Sequence, residues 1–109
     1  MYFVVFATDQ PGKAALRVQT KARHREHLDH PPDGVHVLQT GPWLDGAGEE
    51  AGSLLILEAA SKAQIEAFMQ TDPYVEAGIF AHIEVHPWVW RRGNPYLADS
   101  TDATADKSN

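Results

Sequence analysis

The chain has 109 residues, no cysteine, and 15 acidic against 9 basic residues, a net charge of −6 with histidine neutral. That length suits one domain with its own core. The missing cysteine excludes disulfides, thiolate nucleophiles and cysteine-based zinc sites, and the acidic balance argues against general nucleic-acid binding.

Tyr2 to Thr8 is aromatic and β-branched, the composition of a strand. No apolar run approaches the roughly 20 residues of a membrane span. With no basic leader ahead of Tyr2, the expected setting is cytoplasmic. Asp9-Gln10-Pro11-Gly12 reads as a turn. Residues 13–29 lack proline and glycine and predict a helix, which Pro31-Pro32-Asp33-Gly34 ends. Val35 to Thr40 predicts a second strand, Gly41 to Gly48 a long loop, and Ser53 to Glu58 a third strand. Ser61-Lys62-Ala63-Gln64 has the pattern of a capping box, opening a helix that runs to Gln70. Asp72 as N-cap, Pro73 at the first helical position and Gly78 as terminator predict one more short helix. Ile79 to Trp90 predicts the last strand. Residues 1–93 are thus expected to form one domain, and 94–109 a polar, disordered tail.

The order βαββαβ implies an α+β, ferredoxin-like fold with a four-stranded antiparallel sheet and its helices on one face. Phe3-Val4-Val5-Phe6 and Leu54-Leu55-Ile56-Leu57 are apolar at consecutive positions, which suits burial on both sheet faces. Two helices cover one face only, so a homodimer with sheets packed face to face is expected.

With no Gly-rich phosphate loop, GxSxG or HExxH, the chemistry falls to histidines and carboxylates. Residues 12–29 carry a net +3 through Lys13, Arg17, Lys21, Arg23 and Arg25 against Glu26 and Asp29. At about 100° per residue, Arg17, Lys21, His24 and Leu28 share one face. Facing a cavity, they make an anion site with a proton-transfer group; facing solvent, an ordinary helix surface. His24, His27 and His30 stand three residues apart, and His82, Glu84 and His86 alternate on one strand face with Phe80, Trp88 and Trp90. Either set has ligand types for a divalent metal. Adjacent helical histidines more often face water, and the outer two of three same-face strand positions lie too far apart, so no metal is assigned. Asp72 is read first as a helix cap; contact with the first helix would let it orient a histidine.

Five pieces in register resemble the YCII-related domain family: His24-Arg25-x-x-Leu28, Thr40-Gly41-Pro42 followed by Leu44, Gly52-Ser53-Leu54-Leu55-Ile56, Asp72-Pro73-Tyr74-Val75-x-Ala77-Gly78, and Val85-x-Pro87-Trp88. The resemblance implies the dimeric α/β-barrel form of the ferredoxin-like fold, related to muconolactone isomerases. It also implies a His–Asp pair, carried onto His24 and Asp72, with His27 as the alternative histidine. Lys21, Arg17, Ser53 and Tyr74 become the substrate-binding candidates. Proton transfer on a small anionic or aromatic molecule follows, of dehydrochlorinase or isomerase type, without a cofactor. A ligand-binding or accessory module is the competing expectation.

Overall fold

β-branched and aromatic side chains at the N-terminus form β1 (Tyr2–Asp9), which lies inside the sheet between two partners. A computed structural model describes residues 1–97. The remaining elements are α1 (Ala14–Asp29), β2 (His36–Leu44), β3 (Glu50–Glu58), α2 (Lys62–Gln70), α3 (Pro73–Glu76) and β4 (Phe80–Trp88). The four strands make one sheet in the order β2-β3-β1-β4, every pair antiparallel. This is the predicted α+β, ferredoxin-like arrangement. Among the described residues, no helix is long and apolar enough to cross a membrane.

Period-two alternation sends Phe3, Val5 and Ala7 of β1 and Leu55 and Leu57 of β3 to the helix side, all buried. Ile65, Phe68 and Met69 of α2 close over them, with Val35 and Ala59. Ser61 accepts from the Gln64 amide while the Gln64 side chain takes the Ser61 amide, so α2 starts with the expected capping box. Gly78, at φ +73°, ends the α3 segment in the left-handed region and turns the chain into β4.

Among the described residues, the opposite sheet face carries no helix. Val4, Phe6, Leu54 and Ile56 form its middle, with Trp43 stacked on Phe6 at 5.1 Å between centroids. The Trp43 indole crosses above Gly52 and donates from Nε1 to the Ala7 carbonyl at 2.8 Å. His82, Glu84 and His86 stand on this face along β4, both imidazoles turned to the one carboxylate.

Three elements differ from the sequence reading. Residues 41–44, expected in a loop, continue β2, and β3 starts at Glu50 instead of Ser53. Pro42 is tolerated because β2 is an edge strand, where a missing N–H costs no ladder bond. The true turn is confined to Asp45–Glu49, where the Asp45 carboxylate accepts from the Ala47 and Glu49 amides. Phe80, expected beside His82, packs on the core instead. The register shift between Thr8 and Asp9 skips Ala81, and such a bulge exchanges the faces beyond it. Asn94 and Tyr96, expected in the tail, are held: the Tyr96 hydroxyl donates to the Leu38 carbonyl at 2.6 Å, and the Tyr96 amide to Asn94. Residues 98–109 of that expected tail lie outside the described residues.

Candidate functional site

The buried stripe of α1 is polar. Arg17, Thr20 and His24, at helical spacing, are the residues this helix buries. A helix that turns a guanidinium and an imidazole inward departs from the apolar rule, and such departures concentrate at functional sites.

α3 brings the partner for His24. Asp72 is fully buried just before Pro73, and its Oδ1 accepts from the Tyr74 amide at 2.9 Å, capping the helix. The same Oδ1 lies 2.8 Å from His24 Nδ1. A carboxylate only accepts, so Nδ1 carries the hydrogen, and in the neutral ring Nε2 holds the lone pair. Asp72 Oδ2 has no hydrogen-bond partner among the described residues. The Tyr74 ring stacks on the imidazole, with centroids 3.8 Å apart and planes within 7°. Its hydroxyl donates to the Arg17 carbonyl at 3.4 Å. Burial raises the Tyr74 pKa, with the Arg17 charge opposing, so the phenol stays protonated near neutrality.

Arg17 is largely committed. Nε and Nη2 grip the Asp9 carboxylate at 2.8 and 3.3 Å, and Nη2 also donates to Ser53 Oγ at 2.7 Å. Its guanidinium carbon sits 4.8 Å from the centroid of the Tyr74 ring. Burial lowers its pKa, but the hydrogen bond and charge of Asp9, with Tyr74 and Glu50, outweigh that and leave it above the ordinary value. Arg17 therefore remains a fixed cation.

These residues line a cavity of about 170 Å³ between α1 and the β2–β3 hairpin. Arg17, Lys21, His24 and Leu28, the four residues that the helical wheel placed on one face, all reach it, with Ser53 and Tyr74. All six expected site residues are thus close together, with Asp72 behind His24. His27, the alternative histidine, points elsewhere: it stacks on Phe68 and bonds the Phe68 carbonyl at 3.0 Å. His30 binds the Glu26 carbonyl, so the three helical histidines diverge. Among the described residues no group of three or more His, Asp or Glu side chains is arranged to hold a metal ion.

The sequence reading missed Arg25, Thr40, Glu50 and Leu55 as cavity residues. Arg25 lay in the matched His24-Arg25-x-x-Leu28 piece and was legible. Thr40 also lay in a matched piece, but the face it takes was not legible, because a register shift skips Leu38 and sets Thr40 opposite Leu55 on the helix side.

A family model described as the YCII-related domain matches residues 1–89. The chain belongs to the YCII-related family. Among YCII-related proteins, Protein YciI of Escherichia coli is 31% identical over 94 residues, which cover 81% of this chain and 96% of that protein. An uncharacterised Haemophilus influenzae protein matches with the same identity and coverage. A solved structure, 5-chloro-2-hydroxyhydroquinone dehydrochlorinase from Burkholderia phenoliruptrix in complex with 2,5-dihydroxybenzoquinone, superposes with a TM-score of 0.72 at 30% identity, covering 82% of this chain and 94% of that one. SnoaB, a cofactor-independent oxygenase from Streptomyces nogalater, shares the fold alone, with a TM-score of 0.50 at 13% identity, over 86% of this chain and 95% of that one.

Proposed function

We propose that this YCII-related protein is a cofactor-independent proton-transfer enzyme acting on a small, single-ring molecule that bears an acidic hydroxyl or an anionic group. The observation that carries this reading is the 2.8 Å contact between His24 Nδ1 and Asp72 Oδ1 beside a cavity. His24 Nε2 takes the proton as general base, while Asp72 holds the tautomer and stabilises the imidazolium that forms. Lys21 and Arg25, cavity-lining cations with no ion pair among the described residues, offset the negative charge that appears on the substrate. The cavity, about 170 Å³, has the size of an engineered apolar cavity that holds one benzene ring. The likeness to a dehydrochlorinase complexed with a quinone supports a reaction in which a proton goes to the base and a halide leaves.

A second reading rests on Asp72 Oδ1 also capping Tyr74, so that the same contacts serve a binding module that performs no chemistry. Titration of the full chain with chlorinated and hydroxylated phenols and benzoates separates the two. The enzyme reading expects saturable movement of the His24 ring resonances, raised melting temperature and conversion of at least one compound. Binding without conversion throughout the series supports the module, and no movement of His24 with any compound contradicts both.

The protein is also proposed to work as a homodimer in the cytoplasm. The helix-free sheet face bearing Val4, Phe6, Leu54 and Ile56 is apolar, with Leu54 40% exposed in the single chain. Sedimentation at micromolar concentration is expected to give twice the chain mass of 12.0 kDa. A species of one chain mass contradicts this.

A further inference from the structure

Glu50 reaches the cavity through a fault in the sheet. Strict alternation along β3 sends Ser53 and Leu55 to the helix side and Leu54 and Gly52 to the open side, so Glu50 belongs with the latter. Yet Glu50 lines the helix-side cavity. Between Trp43–Gly52 and Leu44–Glu50 the β2–β3 register skips Ala51. A bulge of this kind re-aims the side chain beyond it.

What the re-aimed carboxylate meets is the unused part of Arg17. Nε and Nη2 are held by Asp9 and Ser53, whereas Nη1 has no hydrogen bond among the described residues. Glu50 Oε1 stands 3.8 Å from that Nη1, and its side chain is 46% exposed. The distance is too long for a hydrogen bond and short enough for strong mutual attraction. Glu50 also borders the neighbouring hollow formed with Ala14, Val18 and Lys21, which gives it room to swing aside. An entering anion thus meets a carboxylate already facing the open corner of the guanidinium.

We propose that Glu50 is the specificity-determining residue of this cavity, a built-in competitor at Arg17 Nη1 that admits neutral or singly charged ring compounds and rejects dianions. The inference rests on the small-molecule reading of the site. Removing one unit charge several ångströms from a half-exposed ligand changes affinity about tenfold per ligand charge.

The experiment compares catechol, benzoate and phthalate as neutral, singly and doubly charged probes. Each is titrated at neutral pH into the wild-type chain, Glu50→Gln and Glu50→Asp, following the His24 and Arg17 side-chain resonances. Glu50→Gln is expected to leave catechol within about twofold, to tighten benzoate about tenfold and to tighten phthalate about a hundredfold. Glu50→Asp keeps the wild-type order of preference. Equal changes for all three probes, or none, while His24 still reports binding, overturn the role of Glu50 and leave the cavity reading intact. Failure of every probe to move His24 in all three proteins overturns both.

Discussion

Asp72→Ala is expected to destabilise the chain by about 3 kcal/mol, because it leaves the Tyr74 amide and His24 Nδ1–H buried without an acceptor. Each orphaned donor costs about 1–3 kcal/mol, and removal of a buried charge returns part of the sum. Asp72→Asn behaves differently. Its Oδ1 still accepts from both donors, so the fold loses about 1 kcal/mol, while the negative charge that stabilises a protonated imidazole is gone. For any substrate whose proton His24 removes, turnover is expected to fall about a thousandfold or more in Asp72→Asn. Denaturant unfolding of both variants checks the first half, and turnover of Asp72→Asn the second. Unimpaired turnover in Asn, with stability lost in Ala, would reduce Asp72 to a helix cap.

The second large effect concerns Gly52. A Cβ there would overlap the Ala7 carbonyl on one side and the Trp43 indole on the other. Ala7 is backbone of an inner strand, and Trp43 is held by its bond to that same carbonyl and by its stack on Phe6. Neither yields cheaply. Gly52→Ala is expected to cost about 3 kcal/mol, the upper end of ordinary overpacking, and to lower the melting temperature by about 10 °C. Calorimetry on the variant checks it, and an unchanged melting temperature would mean that the indole moves aside freely.

The Gly52 environment also shows where sequence reading stopped. Helices α1, α2 and α3 were legible because their evidence is local: caps, proline and glycine lie within a few residues of the ends they define. The face shared by Arg17, Lys21, His24 and Leu28 was legible for the same reason, since a helix fixes its own geometry. The sheet was harder. Gly41-Pro42 carries loop chemistry in isolation, and only the position of β2 at the edge lets it extend. The skipped residues Leu38, Ala51 and Ala81 exchange sheet faces, and a bulge is a relation between two strands that neither strand announces alone. Thr40 and Glu50 enter the cavity through such shifts, and Phe80 reaches the core through another. The pairing of His24 with Asp72 joins residues 48 positions apart, and the resemblance in the matched pieces, not periodicity, brought it into view.

The tautomeric state of His24 tests the central claim most directly. Nitrogen-15 spectra of the imidazole in the unliganded chain, recorded where the ring is neutral, are expected to show the hydrogen on Nδ1 and an unprotonated Nε2. In Asp72→Ala that preference is expected to weaken. A hydrogen on Nε2 in the wild-type chain, or a ring that averages both tautomers regardless of Asp72, would contradict the assignment of His24 as the base.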